Sequence, residues 1–117
     1  MIDSSRHFIP VDEILQTIDA MYAAKLNVFH WHIVDSPSFP YESEAYPELS
    51  GEGSWAGASD LNSSTYSQAD IKAVAARCEA RFVKLVLEID TPAHTLAVAK
   101  SHPEMMADCW KWMATSK

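Results

Sequence analysis

Hydrophobic residues follow two kinds of pattern along this chain, short continuous runs and stretches with helical spacing. The run over residues 28–34 is apolar or aromatic apart from two histidines, and Asp, Ser and Pro stop it. The run over residues 83–90 is similar in length and also ends in an acid. Runs of this length between turn residues predict buried strands, and strands covered on both faces are typical of parallel sheets.

Helical spacing fills the intervals between these runs. Pro10 precedes two acids and an apolar stripe that reaches residue 26, which predicts a helix that begins at Pro10 and ends near Asn27. Ser67 and Asp70 have capping-box spacing and predict the start of a second helix. A short extended piece, residues 1–9, precedes the first helix, and a third helical segment follows residue 91 and fades near residue 106. The order β-α-β-α-β-α predicts an α/β fold with a parallel sheet and right-handed crossovers.

The long connection over residues 36–66 is rich in Ser, Gly, Pro and aromatic residues. Loops of this length are usually functional or disordered, and the aromatic residues favour an ordered one. Five aromatic residues could stack on sugars, although such residues more often pack a loop against the core. They are Phe39, Tyr41, Trp55, Trp110 and Trp112.

Composition limits the classes of partner. The chain has 117 residues, of which 48% are hydrophobic, so one small domain with a packed core is expected. A net charge of −7 argues against nucleic-acid and anionic-membrane partners. No apolar run approaches the roughly 18 residues of a membrane span, and the first ten residues do not look like a signal peptide.

Polar side chains gather at the carboxyl ends of the predicted strands. Asp35 ends the second strand, and Arg6 ends the first. Glu88 and Asp90 share one face at the end of the third strand, and His94 follows four residues later. Enzymes built on parallel sheets place their chemistry at this end. We therefore expect these side chains to line one functional rim, with a structural salt-bridge network as the alternative.

His30 and His32 share a face of the second strand, and two histidines at this spacing can chelate a metal. A metal-dependent hydrolase is therefore one hypothesis, and two hydrogen-bonded core histidines are the alternative. Cys78 falls on the apolar face of a predicted helix and is expected to be a buried thiol. Cys109 lies in a predicted loop, and Asn62-Ser63-Ser64 is a weak glycosylation signal.

Several long motifs occur together and in order along the chain. They are Arg6-His7-Phe8-Ile9-Pro10, Lys25-Leu26-Asn27-Val28-Phe29-His30-Trp31-His32-Ile33-Val34-Asp35, Ser38-Phe39-Pro40-Tyr41-Glu42-Ser43, Tyr46-Pro47-Glu48-Leu49 and Glu88-Ile89-Asp90-Thr91-Pro92-Ala93-His94-Thr95-Leu96. Together these motifs resemble the β-N-acetylhexosaminidases of glycoside hydrolase family 20, especially the eukaryotic, lysosomal-type enzymes. The likeness covers residues 1 to about 97 and is weak over residues 98–117.

The resemblance implies a (β/α)8 barrel, of which residues 1–117 would supply about three βα units. It implies removal of terminal N-acetylglucosamine or N-acetylgalactosamine by a substrate-assisted mechanism that needs no cofactor and no metal. In that mechanism the 2-acetamido oxygen of the sugar attacks the anomeric carbon. Arg6 would bind hydroxyls of the terminal sugar. A supporting network under the catalytic acid would contain Asp35, His94, Glu88 and Asp90.

Some positions depart from the family pattern. Ser36 stands where many relatives have a second Asp, Ala93 replaces a Gly of the turn, and Phe82 replaces a Gly before the third strand. The resemblance also implies that Cys109 corresponds to a cysteine that pairs further downstream. The family's Asp-Glu catalytic pair follows glycines on the next strand, whereas the one Asp-Glu here is Asp12-Glu13 at a helix start.

We therefore expect a fragment or truncated product of a hexosaminidase that is inactive alone. The alternative is a non-catalytic binding or assembly subunit. A homo-oligomer or a second chain could complete the barrel, because a full barrel needs about 250 residues. The family implies a lysosomal or secreted location.

Overall fold

The computed structural model describes residues 1–55 and 64–106, and it shows three parallel strands in one sheet. The strands lie in the order β1 (Ile2–Asp3), β2 (Val28–His32) and β3 (Lys84–Glu88). The α-helices are α1 (Val11–Ala23), α2 (Glu48–Gly53) and α3 (Gln68–Ala80). Two 3-10 helices, Leu96–Lys100 and Pro103–Met105, follow β3. The predicted α/β fold with a parallel sheet is confirmed.

The strands are shorter than the hydrophobic runs that predicted them. The amide of Ile33 still donates to Glu88 O at 3.3 Å, but Asp35 and Ser38 then pair with each other, with N–O distances of 3.1 and 3.2 Å. This tight turn uses the backbone groups that would have continued β2. The carboxylate of Asp35 therefore lies just beyond the sheet rather than within a strand.

The helix boundaries also differ from the prediction. Pro10 is the N-cap of α1, and its carbonyl accepts from the amides of Glu13 and Ile14 at 3.0 and 3.2 Å. The helix ends at Ala23, not near Asn27, because Lys25 turns the chain with φ 58°. The prediction of a third α-helix is wrong. Two 3-10 helices stand in its place, and Pro103 begins the second of them. Proline cannot donate the backbone hydrogen bond that a continuous helix needs.

Strand β2 has one covered face and one open face. Phe29 and Trp31 are fully buried in a core shared with Ile14 and Ile18 of α1 and with α3 residues. On the other face Val28 is 48% exposed, and Val86 on β3 is 36% exposed. The prediction that the strands are covered on both faces is therefore wrong for this chain, since both helices pack on the same side.

The second helix begins as its sequence predicted. Ser67 caps α3: its hydroxyl accepts from the amide of Asp70 at 3.2 Å, and the Asp70 carboxylate accepts from the amide of Ser67 at 2.8 Å. Asp19 of α1 then pairs with Arg77 and Arg81 at 2.6 and 2.8 Å. These ion pairs tie the two helices together along their exposed edge. No helix in the described part of the chain is long and apolar enough to cross a membrane.

Replacing Phe82 by glycine is expected to stabilise the fold. Phe82 follows α3 with φ 54° and its side chain is 86% exposed, so it has left-handed backbone strain and little packing. Relief of that strain should raise the free energy of unfolding by about 1 kcal/mol, measured by urea denaturation. The matched control is Phe82→Ala, which keeps the Cβ and should change stability by less than about 0.5 kcal/mol. A glycine variant no more stable than the alanine variant would contradict the prediction.

Candidate active site

A small cavity opens at the carboxyl ends of the three strands. Its volume is about 200 Å³. It is lined by Met1, Arg6, His32, Asp35, Glu88, Asp90 and His94. All five side chains that the sequence placed on one rim therefore lie together, and His32 joins them. Successive parallel strands bring their carboxyl ends to the same edge, and this explains how residues up to 88 positions apart meet.

Asp35 is the centre of the cluster. Its side chain is buried, and Oδ2 lies 2.8 Å from His32 Nε2 and 2.7 Å from Arg6 Nη2. Oδ1 accepts from the Ser36 amide at 2.5 Å and lies 3.1 Å from His94 Nδ1. Four groups from three separate stretches of chain thus converge on one carboxylate. A buried acid with this many donors is held in one orientation.

Arg6 lies at the edge of the cavity and is half exposed. Its Nη1 contacts Asp3 Oδ2 at 2.6 Å while Nη2 contacts Asp35. The other oxygen of Asp3 accepts from the amides of Ser5 and Arg6, both at 3.1 Å, and so shapes the turn after β1. A guanidinium has five N–H donors, and these two contacts leave donors for a ligand in the cavity.

The Glu88 carboxylate contacts two histidine side chains. One oxygen lies 3.0 Å from His32 Nδ1, and the other contacts His30 Nε2. The sequence indicated that both histidines share a face but did not assign His32 to the acid network. The signal that would have found it is the strand register, in which His32 lies directly beside Glu88.

A metal ion at this site would compete with these hydrogen bonds for the same side-chain atoms. Ligand atoms of His32, Asp35 and Asp90 all lie within 4.8 Å of one another. Both ring nitrogens of His32 are nevertheless at hydrogen-bond distance from carboxylates, and His30 contacts the same Glu88. A metal ligand needs a free nitrogen lone pair, so an ion at His30 and His32 would have to displace these partners. The metal hypothesis stays a prediction.

The turn after β3 positions His94. Ala93 stands in this turn where the family pattern has glycine, a residue that can adopt positive φ. In the structure the positive φ belongs instead to His94, at 59°, and Ala93 has none. This geometry directs the half-exposed His94 ring toward Asp35.

The predictions for the aromatic and cysteine residues have different outcomes. Phe39 is buried and contacts Tyr41 edge-on, with ring centroids 6.5 Å apart. Trp55 donates its indole N–H to Ser5 O at 2.7 Å. Cys78 is a buried free thiol, as predicted, and burial raises its pKa. Asn62, Ser63, Cys109, Trp110 and Trp112 lie outside the described residues.

The contacts shift the ionisation of the cluster. Burial of Asp35 would raise its pKa, but hydrogen bonds from His32, Ser36 and His94 and the charge of Arg6 lower it overall. Burial would lower the pKa of His32, but hydrogen bonds to Asp35 and Glu88 raise it overall. The hydrogen bond from His30 is the main cause that lowers the pKa of Glu88. The contacts therefore favour the charged forms of the Asp35 and Glu88 carboxylates and the protonated form of His32.

This cluster is expected to stabilise the fold most between about pH 4 and pH 6.5. The raised pKa of His32 gives stability that is fully present below its ordinary pKa and is lost as pH rises through the folded-state pKa. The lowered pKa of Asp35 gives stability that is present above its ordinary pKa and is lost as pH falls through the folded-state pKa. The urea concentration at the unfolding midpoint, measured as a function of pH, should therefore decrease both above and below this window.

The variant His32→Gln separates the two sides of that profile. Without an imidazole that gains a proton on folding, the decline above about pH 6.5 should become much smaller. The acid-side decline should remain, because Asp35 keeps Arg6, Ser36 and His94. Parallel profiles for the wild type and the variant would show that His32 does not make this contribution.

Comparison with known proteins assigns the fold to a family. The family model for the glycosyl hydrolase family 20 catalytic domain matches residues 1–117. Beta-hexosaminidase subunit beta of Mus musculus is 43% identical over 110 residues, and subunit alpha of Bos taurus is 41% identical. Each alignment covers 94% of this chain and 20% of the relative, so the chain spans about one fifth of these relatives.

Solved structures of similar proteins have the same fold over most of this chain. The exo-β-N-acetylglucosaminidase of Vibrio harveyi in complex with N-acetylglucosamine has a TM-score of 0.80 at 30% identity, covering 92% of this chain and 18% of that one. The chitobiase of Flavobacterium johnsoniae has a TM-score of 0.79 at 36% identity, covering 89% and 15%. The three parallel strands and their helices thus form a partial (β/α)8 barrel, and the chain belongs to glycosyl hydrolase family 20.

Proposed function

We propose that this chain forms the part of an exo-acting β-N-acetylhexosaminidase barrel that binds the terminal sugar and supports the catalytic acid. The observation that carries the proposal is the pairing of half-exposed Arg6 with buried Asp35 at a cavity on the carboxyl ends of the strands. Enzymes with this type of barrel place their active sites at this end. The substrate class is terminal N-acetylglucosamine or N-acetylgalactosamine of glycoconjugates.

Arg6 is proposed as the sugar-binding residue. Asp3 and Asp35 each contact one terminal nitrogen of its guanidinium, and half of the side chain remains exposed to a ligand. Two parallel N–H groups can donate to neighbouring hydroxyls of one sugar ring, a pairing that the planar guanidinium favours. The fixed charge also needs no rearrangement when the sugar arrives, which limits the entropy lost on binding.

The supporting network is proposed to consist of Asp35, His94, Glu88 and Asp90, together with His32. Carboxylates and histidines around a general acid tune its pKa toward the working pH. In the substrate-assisted mechanism the 2-acetamido oxygen attacks the anomeric carbon, so the chain needs to supply no nucleophile. The general acid and its preceding aspartate are not among these residues, because the one Asp-Glu pair, Asp12-Glu13, lies in the first turn of α1.

The 117-residue chain is expected to bind N-acetylglucosamine weakly but not to hydrolyse an aryl N-acetyl-β-glucosaminide. In a 1H–15N titration the sugar should shift amides near Arg6, His32 and His94, and Arg6→Ala should abolish these shifts. Lys84→Ala is the matched control, since this exposed cation lies at the opposite end of β3. Turnover by the pure chain would contradict the expected inactivity. Shifts that persist in Arg6→Ala would contradict the binding role.

A binding or assembly subunit is the second candidate, and the open face of the sheet favours it. Val28 and Val86 leave apolar surface exposed on the side opposite α1 and α3. A homo-oligomer, or a second chain that supplies further strands, would cover this surface. Native mass measurement with identification of copurifying chains tests the idea, and a stable monomer would count against it.

A lysosomal or secreted location is also part of the proposal, and it rests on the resemblance to lysosomal-type hexosaminidases. The pH window expected for the acid cluster, which lies on the acidic side of neutrality, agrees with it. Fractionation of cells that express the natural gene, with an antibody to this chain, tests the location. Signal confined to the cytosol would contradict it.

A further inference from the structure

Hydrogen bonds hold most polar groups of the turn that precedes Arg6, which contains Ser4 and Ser5. Ser4 and Ser5 are completely buried. The Ser4 amide donates to His32 O at 3.1 Å, and the Ser4 hydroxyl accepts from the Trp31 indole at 2.8 Å. Arg6, which follows these two serines, is therefore attached to a rigid stretch of backbone.

Ser5 is held by two groups from the connection after β2. Its hydroxyl donates to Ser38 O at 2.7 Å, and its carbonyl accepts from the Trp55 indole N–H at 2.7 Å. Trp55 lies 50 residues away along the chain and is only 38% exposed. The carbonyl it binds belongs to the peptide unit whose amide is that of Arg6. A donor at this point fixes the plane of that peptide.

We propose that Trp55 is a positioning residue for Arg6, whose indole N–H holds the Ser5–Arg6 peptide so that the guanidinium rests on Asp35. In its consequence for sugar binding, this inference rests on the proposed role of Arg6. The geometric part stands by itself, because it concerns contacts within the chain.

The Arg6 side chain needs such support. Half-exposed ion pairs gain little by themselves, because ordering a long side chain costs conformational entropy. A backbone fixed at Ser5 reduces the conformations from which Arg6 can reach both Asp3 and Asp35. Trp55 is suited to this role because its indole offers one directional donor on a rigid ring. The competing explanation is that Trp55 only packs the long connection against the start of β1.

The variant Trp55→Phe separates the two explanations, since phenylalanine keeps an aromatic ring and removes the donor. In the 117-residue protein, the heteronuclear NOE of the Arg6 Nε–H group reports how rigidly the guanidinium is held. We expect this NOE to fall in Trp55→Phe. Tyr46→Phe is the matched control: Tyr46 is an exposed aromatic residue of the same connection that packs against His102. It should leave the Arg6 signal unchanged.

An unchanged Arg6 NOE in Trp55→Phe, even with lowered stability, would overturn the proposal in favour of simple packing. If Trp55→Phe does not fold, a tryptophan analogue with sulfur in place of the indole N–H gives the same test with the ring shape retained. A double-mutant cycle with Arg6→Gln gives a second measurement. The shift in urea midpoint caused by Trp55→Phe should be smaller in the Arg6→Gln background, and equal shifts would overturn the coupling.

The sugar titration keeps this proposal separate from the proposed function. If Trp55→Phe loosens Arg6 while N-acetylglucosamine shifts no cavity amide in the wild type, the positioning role is supported and sugar binding is refuted. If the sugar binds the wild type and Trp55→Phe equally while Arg6 remains rigid, sugar binding is supported and the positioning role is refuted.

Discussion

Replacing Asp35 by alanine is expected to lower the free energy of unfolding by about 3 kcal/mol, the lower end of the cost of breaking a buried charge pair. The variant leaves the buried His32 Nε2 and the Arg6 guanidinium without their shared acceptor. It also removes the acceptor for His94 and for the Ser36 amide. The value is placed at the lower end because Arg6 is half exposed and can be solvated. Urea denaturation near pH 6 measures the loss.

The matched control for Asp35→Ala is Asp12→Ala on the exposed first turn of α1. This residue contributes mainly through the helix dipole, so its loss should cost less than about 1 kcal/mol. Equal costs for the two variants would show that the network at Asp35 contributes no more than a surface charge. Asp35→Asn should fall between them, because it keeps the shape of the side chain and loses its charge.

The convergence of the acid cluster could be predicted because it depends only on chain order. Parallel strands joined by helices bring Arg6, Asp35 and Glu88 to the same edge whatever their exact lengths. The capping box at Ser67 was likewise local and was confirmed in detail. Both predictions rest on rules that need no knowledge of tertiary contacts.

Other features depend on contacts that a single sequence does not reveal. The role of His32 follows from a strand register that puts it beside Glu88, whereas the spacing of His30 and His32 alone pointed to a metal. Trp55 acts on Ser5 across 50 residues and had no local signal. Helix α2 was not predicted because two glycines interrupt its six-residue sequence.

The hydrophobic run of β2 illustrates a different limit. Its continuous apolar pattern predicted cover on both faces, but α1 and α3 cover only the face of Phe29 and Trp31. The pattern describes the environment of the strand in a closed barrel, in which the interior face is also packed. The structure of this chain shows that interior face without its neighbours, and Val28 and His30 lie on it.

Replacing Trp31 by alanine is expected to have the largest effect, a loss of about 3–5 kcal/mol in the free energy of unfolding. Trp31 is fully buried, meets Tyr66 edge-on with ring centroids 4.9 Å apart, and donates to Ser4 beneath the Arg6 turn. The variant therefore leaves a cavity and removes the indole donor to the Ser4 hydroxyl. Because small domains are stable by only about 5–15 kcal/mol, far-UV circular dichroism should show a large fall in melting temperature.

Val28→Ala on the same strand is the control that tests the assignment of the two faces. Val28 is 48% exposed and points away from the core of Trp31, so its truncation should cost less than about 1 kcal/mol in the isolated chain. If further strands or a partner cover the open face, the cost of Val28→Ala should rise toward that of a buried valine in the assembly. Similar losses for Val28→Ala and Trp31→Ala in a monomer would show that both faces are packed, and the open-face argument for a partner would then fail.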